Sequence, residues 1–102
     1  MRRIEIINRI REVLHRVAPD AQALLYGSEA RGEAGPDSDI DLLILIDKEE
    51  VSLREEQAIA YPLYDIEFDT GVVISPRIFS RKAWERLVTP FAENVRKEGI
   101  LL

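Results

Sequence analysis

Apolar residues recur every three or four positions at the start of the chain. Over residues 2–17 they are separated by Arg and Glu side chains, which is typical of an amphipathic helix with one buried face. The sequence Ala18-Pro19-Asp20 ends this pattern. The apolar positions that carry this spacing are Ile4, Ile7, Ile10, Val13, Leu14 and Val17.

Two apolar runs in the next part of the chain predict strands. Ala23–Tyr26 is stopped by Gly27 and predicts a strand of four or five residues. After a Gly-Pro-Asp-Ser turn, Asp39–Ile46 predicts a second strand. Its apolar run at 42–46 does not alternate with polar residues. Both of its faces should therefore be covered, as in a central strand of an α/β layer.

The second half of the chain predicts a helix followed by a strand. Residues 49–63 read as a helix with Pro62 interrupting it late. Residues 64–69 alternate apolar and acidic positions, which fits either a strand or the last turns of that helix. We favour the helix, because the next strand, residues 72–79, begins right after. Pro76 within that strand indicates an edge or bulge position.

Two short helices, at residues 80–88 and 90–98, complete the pattern, and the aliphatic residues 99–102 are expected to be either exposed or docked. The order of elements predicts an α/β (α+β) fold, a small mixed sheet of three to four strands flanked by helices. The chain has 102 residues, of which 46% are hydrophobic, and this suits one domain with a real core.

Charge and composition exclude several classes of function. The net charge of −5 argues against a domain that binds nucleic acid strongly through its phosphates, although a basic cluster at 77–86 is expected as a solvated face. Small nucleotides stay possible, because a bound divalent cation supplies positive charge. The absence of cysteine excludes disulfides and thiolate chemistry. No apolar run is long enough to span a membrane, so we expect a soluble cytoplasmic protein with no membrane partner.

A Gly-Ser pair opens the stretch that carries candidate chemistry. Gly27 would let the backbone approach a phosphate without a Cβ atom in the way. Ser28 would cap a short helix running through Gly32 and add a hydroxyl and an N–H at its N-terminus, where anions are favoured. Arg31 is one turn further on, where it could reach a phosphate or brace the loop that follows. These residues are candidates for nucleotide binding.

Two aspartates follow at the start of the second strand. Alternate residues of a strand share a face, so Asp39 and Asp41 should point the same way, with Cα atoms about 7 Å apart. Magnesium is typically held by one or two carboxylates together with substrate phosphates and waters. A lone Gly-Ser is usually a turn and a lone Asp-x-Asp is usually solvated. Their combination at this spacing favours a site for a metal–triphosphate.

These residues also carry a resemblance. The sequence Gly-Ser-x-Ala-Arg-Gly at 27–32, followed by Ser-Asp-Ile-Asp-Leu at 38–42, resembles the signature of the DNA polymerase β-like nucleotidyltransferase superfamily. The similarity is greatest to its minimal nucleotidyltransferase (MNT) branch. It covers nearly the whole chain, so residues 1–102 are expected to form a single minimal nucleotidyltransferase domain with the polymerase β-like fold. The implied activity is transfer of a nucleoside monophosphate, AMP from ATP foremost, to an acceptor.

The resemblance also implies roles for single residues. Gly27 and Ser28 match the phosphate-contacting pair, and Asp39 and Asp41 match the first two ligands of a two-metal magnesium site and are the candidate catalytic residues. Minimal members are often encoded beside a HEPN-domain protein in pairs that resemble toxin–antitoxin modules, in which the nucleotidyltransferase can adenylylate the partner. The implied partners are an NTP and a HEPN-domain protein. A homodimer is expected together with that partner or in its place, since small domains with spare apolar surface commonly dimerise or bind a partner.

The chain departs from the family pattern at the third carboxylate. Active members carry it on the neighbouring strand as general base and metal ligand, and here that position falls on Ser75. Asp65, Glu67 or Asp69 could substitute, or these three could form a solvated acidic face. Three functions therefore stay open. They are an active nucleotidyltransferase, a catalytically weak or inactive antitoxin subunit that acts by contact, and a subunit that binds nucleotide as a sensor.

Overall fold

The structure is a computed structural model and describes residues 3–102, so Arg2 of the predicted first helix lies outside the described residues. Within that range the chain forms four helices and four strands. In order they are α1 (Arg3–Val17), β1 (Gln22–Tyr26), β2 (Ile40–Ile46), α2 (Leu53–Thr70), β3 (Ile74–Ser80), α3 (Arg81–Arg86), α4 (Pro90–Glu98) and β4 (Ile100–Leu101).

The strands form one mixed sheet in the order β3-β2-β1-β4. β1 is antiparallel to both β2 and β4, whereas β2 and β3 are parallel. The predicted fold class is confirmed, with a sheet of four strands flanked by helices. β3 is an edge strand, which agrees with the position indicated by Pro76, because a proline cannot donate a hydrogen bond to a further strand.

The central strand β2 is buried on both faces. Ile40, Leu42 and Ile44 are fully buried in the core that contains residues of α1 and α2. Leu43 and Leu45 point to the opposite face and pack in a second core with residues of α3 and α4. The unbroken apolar run of this strand therefore reflects two helical layers, as the sequence predicts.

The second helix differs from its predicted start but not from its predicted end. α2 begins at Leu53 rather than at residue 49, because Ser52 and Glu55 form a reciprocal capping box. The helix continues past Pro62 and through residues 64–69, so the helical interpretation of that stretch is confirmed. It ends at Gly71, whose φ of 75° is a left-handed conformation that glycine adopts readily.

The C-terminal part of the chain contains its predicted elements, but β3 begins at Ile74 rather than at residue 72 and α3 ends at Arg86 rather than at residue 88. α3 is capped by Ser80, and α4 occupies Pro90–Glu98 as predicted. The aliphatic end is docked through its backbone, since Ile100 and Leu101 pair with β1 while their side chains remain exposed. No helix of residues 3–102 is long and apolar enough to cross a membrane.

Candidate active site

The Gly-Ser pair lies in a tight turn directly after β1. Gly27 has a φ of 70°, and its carbonyl accepts a hydrogen bond from the Arg31 N–H at 3.1 Å. The Ser28 carbonyl accepts one from Glu33 at 2.9 Å. The prediction of a short helix after Ser28 is wrong, because these are turns and Gly32, at a φ of 71°, leaves the helical region after one turn.

The two aspartates lie at the start of β2, beside that turn. Asp39 precedes the strand and is exposed, and Asp41 is its second residue and is partly buried. A Cβ atom placed on Gly27 would lie 2.5 Å from Oδ2 of Asp41. The structure therefore brings the two halves of the sequence motif together, because β1 ends where its antiparallel neighbour β2 begins.

The surroundings of Asp41 disfavour its ionised form. Burial raises the pKa of this carboxyl above its ordinary value, and the adjacent Asp39 carboxylate raises it further. Arg77 and Arg31 act in the opposite direction and lower the pKa. A cation bound between the two aspartates would offset both the burial and the repulsion. The donor set thus fits magnesium, which accepts one or two protein carboxylates and takes its other ligands from phosphates and water.

Arg3 fastens the loop that connects the two halves of the site. Its Nε donates to Glu29 at 3.0 Å, and Nη1 donates to the Ser38 carbonyl at 2.7 Å and the Pro36 carbonyl at 3.4 Å. Nη2 donates to the Asp39 carbonyl at 3.4 Å. One guanidinium at the start of α1 therefore spans the Gly-Ser side and the aspartate side of the loop. The sequence gives no local signal for this role.

Arg31 lies beside Gly27 but does not brace the aspartate-bearing end of the loop. Its guanidinium forms ion pairs with Glu33 at 3.0 Å and with Glu98 at 3.3 Å. Glu98 also accepts a hydrogen bond from the Gly27 N–H at 3.1 Å. Glu98 is 71 residues from Gly27 in sequence, and only the pairing of the C-terminal strand with β1 reveals that it belongs to the site.

An aromatic–cationic group borders the same face of the sheet. Arg77 of β3 lies 4.7 Å over the ring of Phe91, which packs edge-on against Tyr26 at 5.5 Å. Burial and the nearby Asp41 raise the pKa of the Tyr26 hydroxyl, whereas Arg77 lowers it. The sequence groups Arg77 with a solvated basic face, but strand register turns it towards the aspartates. Arg77 can be assigned to this face only when the register between β2 and β3 is known.

Ser75, the position that the sequence predicts for the third carboxylate, lies next to Asp41 in the sheet. Asp41 pairs in register with Ser75 on β3, and the two side chains share a face. The acidic residues 65–69 lie on α2, against the opposite face of the sheet. Glu67 accepts from the Ile74 N–H at 2.8 Å and Asp69 pairs with Arg9 at 2.6 Å.

None of the residues 65–69 joins the two aspartates. In the part of the chain that the structure describes, no three His, Asp or Glu side chains are grouped to hold a metal ion. Of the carboxylates that the sequence suggests as ligands, only Asp39 and Asp41 therefore lie together beside the Gly27 turn.

The sheet topology and this turn-and-carboxylate site together define a nucleotidyltransferase domain. A family model described as "Nucleotidyltransferase domain" matches residues 7–99, and the chain belongs to that family. The chain is 33% identical over 101 residues to "Putative protein adenylyltransferase MJ0141" of Methanocaldococcus jannaschii, with 95% of each protein covered. The family implied by the sequence motif is confirmed.

Solved structures support the same fold. A "putative minimal nucleotidyltransferase" is 31% identical, with a TM-score of 0.64, over 100% of this chain and 97% of its own. A toxin–antitoxin structure with AMP-PNP is 21% identical, with a TM-score of 0.61, over 92% of this chain and 69% of its own. At 21% identity the second likeness concerns the fold alone.

Proposed function

We propose that this protein is a magnesium-dependent adenylyltransferase that transfers AMP from ATP to a hydroxyl group of a HEPN-type toxin partner. The observation that supports the proposal is the close approach of Asp41 to Gly27, with Asp39 two residues before it, at a turn whose backbone N–H groups would bind phosphate. The name of the Methanocaldococcus jannaschii relative favours a protein acceptor. The toxin–antitoxin neighbour with AMP-PNP favours ATP and a toxin. Such a protein would act in the cytoplasm.

The two halves of the site would have different roles, one in binding phosphate and the other in binding magnesium. The turn at Gly27 and Ser28, with Arg31, would hold the β- and γ-phosphates. Asp39 and Asp41 would hold magnesium, which neutralises phosphate charge and lowers the pKa of the acceptor hydroxyl when bound. The acceptor oxygen forms a bond to the α-phosphorus, the bond to the bridging oxygen of the β-phosphate breaks, and pyrophosphate leaves. With Ser75 opposite Asp41, the hydroxyl proton would pass to solvent rather than to a third carboxylate.

A labelling experiment tests this function. The protein is mixed with a co-purified HEPN-type toxin, magnesium and ATP labelled at either the α- or the γ-phosphate. We expect label in the toxin from α-labelled ATP only, with a mass increase of one AMP unit. Asp39→Asn with Asp41→Asn should abolish the label. Transfer from γ-labelled ATP, or no transfer to any acceptor at any magnesium concentration, would overturn the proposal.

A second function is favoured by one observation, the serine in the register position opposite Asp41. A catalytically weak protein would neutralise the toxin by contact or act as a nucleotide sensor. In that case the Asp39→Asn, Asp41→Asn variant should still protect cells that express the toxin and still form the complex. A sensor would bind ATP only with magnesium and show no turnover. Loss of protection with an intact complex would contradict the contact function.

A further inference from the structure

The carboxylate of Glu98 occupies two of the donors that the proposed site offers to phosphate, the Gly27 N–H and the Arg31 guanidinium. Its Oε1 accepts a hydrogen bond from the Gly27 N–H at 3.1 Å. Nη1 of Arg31 lies 3.3 Å from both Oε1 and Oε2. One internal anion therefore contacts both the backbone of the Gly-Ser turn and the nearby cation.

The fold holds Glu98 at this point from both sides. It is the last residue of α4, and the next residue, Gly99, donates its N–H to the Val95 carbonyl at 2.7 Å. A Cβ atom on Gly99 would lie 2.6 Å from that carbonyl oxygen, so glycine allows the close turn into β4. Ile100 of β4 then pairs with Leu25 of β1, one strand residue before the end of β1. The Glu98 side chain is only 25% exposed.

The location of this carboxylate is electrostatically unfavourable apart from those two contacts. Glu98 lies at the C-terminal end of α4, where the helix dipole disfavours negative charge. Asp41, whose carboxylate lies beside Gly27, adds a further negative charge nearby. Hydrogen bonds from the Gly27 N–H and Arg31 are therefore what favours the observed position. A phosphate oxygen is an equally good acceptor for both donors.

We propose that Glu98 is an internal anion that fills the triphosphate subsite and leaves it when nucleotide binds, so that Glu98 sets the affinity for the triphosphate. This inference rests on the proposed function. A single N–H directed at one carboxylate oxygen cannot donate equally well to a phosphate, so the two anions compete. The apparent dissociation constant for triphosphate is then raised by the fraction of molecules in which Glu98 occupies the subsite.

The competition predicts an order of affinities among variants. Glu98→Gln keeps the shape and one acceptor but removes the charge, whereas Glu98→Ala removes the occupant. Affinity for triphosphate should rise from wild type to Glu98→Gln to Glu98→Ala. If Glu98 occupies the subsite in most molecules, the total gain is about three- to tenfold. A residue that only positions Gly27 and Arg31 would give the reverse order.

Glu33→Gln is the matched control. It removes a carboxylate from the same guanidinium, since Glu33 lies 3.0 Å from Nε of Arg31, but Glu33 makes no contact with the Gly27 N–H. The net charge changes equally in the two glutamine variants. The affinity of Glu33→Gln for triphosphate should therefore change less than that of Glu98→Gln.

The first measurement is calorimetric titration of the full chain with inorganic tripolyphosphate and with ATP, each with magnesium. The second measurement is the NMR resonance of the Gly27 amide during the same titrations. We expect the predicted order, and a Gly27 resonance in free Glu98→Ala that differs from free wild type. When tripolyphosphate is added, the Gly27 resonances of wild type and of Glu98→Ala should move to the same chemical shift. Equal or weaker binding by both Glu98 variants, or no tripolyphosphate binding by any of the proteins, overturns the inference.

Failure of the proposed function gives a different result. If no acceptor is labelled while the Glu98 variants still bind tripolyphosphate more tightly, the subsite stands and the transfer reaction fails. If wild type labels the toxin and the Glu98 variants bind no more tightly, the transfer reaction stands and the inference fails.

Discussion

Oδ2 of Asp41 lies 2.5 Å from the point where a Cβ atom on Gly27 would stand. The two residues are 14 positions apart, on the adjoining ends of β1 and β2, and the absence of a side chain at Gly27 is what lets the carboxylate approach the turn. The φ of 70° at Gly27 adds a second reason for glycine, because other residues rarely adopt this conformation. Both reasons can be separated by mutation.

Gly27→Ala should lower stability and abolish the magnesium response of the protein. The left-handed backbone costs an alanine about 1–2 kcal/mol, and Asp41 must also move away from the new methyl group. Unfolding in urea measures the first effect. The rise in melting temperature on adding magnesium measures the second, and we expect this rise to be lost.

Gly32→Ala is the control for backbone strain. Gly32 has a φ of 71°, but a Cβ atom there would meet no other atom within 4 Å. It should lose similar stability and keep the magnesium response. If both variants responded to magnesium as wild type does, the contact between Gly27 and Asp41 would have no part in metal binding.

Asp41→Asn should stabilise the protein at neutral pH in the absence of metal. Burial and Asp39 raise the folded-state pKa of Asp41 above its ordinary value of 3.8, so the folded protein binds this proton more tightly than the unfolded chain. Ionised Asp41 therefore destabilises the fold as pH rises through the folded-state pKa. The gain in melting temperature on mutation should shrink as pH falls through that pKa and disappear below 3.8.

Asp37→Asn is a charge-matched control, since Asp37 is exposed in the same loop. Magnesium should raise the melting temperature of wild type and of this control more than that of Asp41→Asn. The explanation fails if the two variants show the same melting temperatures across the pH range.

The fold could largely be predicted because its elements leave local signals. The run at 42–46 is apolar at every position, and a strand covered on both faces needs that pattern. The sequence predicts the start of α2 too early, because the acidic residues 49 and 50 resemble a helix start, whereas the capping box between Ser52 and Glu55 fixes the first turn. The pairing of Ile100 with β1 was not predictable, because two residues carry too little pattern to define a strand.

The site was only partly predictable for a different reason. Gly27 and Asp41 belong to one continuous motif, so sequence spacing was enough to relate them. Arg3, Arg77 and Glu98 reach the site from α1, β3 and α4. Their contribution depends on strand order and register, which a pattern of single residues does not contain. The same register shows that the acidic residues of α2 lie on the other face of the sheet.

Arg3→Ala should reduce stability by about 1.5–3 kcal/mol, because it removes charge-assisted hydrogen bonds from a largely buried guanidinium. Labelling of the toxin should fall further than stability explains, since Glu29 and the Ser38 carbonyl lose their common anchor. Denaturant unfolding and the KM for ATP are the measurements.

Arg9→Ala is the control for loss of an arginine from α1. Arg9 pairs with Asp69 at the surface, and an exposed pair contributes about 1 kcal/mol or less. Arg9→Ala should leave the KM for ATP unchanged. If the two arginine variants changed stability and KM equally, the proposed role of Arg3 in holding the loop would be contradicted.

Ser75→Asp should create the missing third carboxylate. Ser75 is the register partner of Asp41 on the parallel strand β3, so the Cα atoms are about 4.8 Å apart and the side chains share a face. Without metal the new charge should destabilise the protein, because three carboxylates would then repel one another. With magnesium or manganese we expect about tenfold tighter metal binding by calorimetry, by analogy with the effect of a lost ligand-shell partner. Labelling should become faster, since the acceptor proton gains a base.

Ser75→Asn has the same size without the charge, and equal metal affinity in the two variants would show that position 75 is not where a third ligand acts.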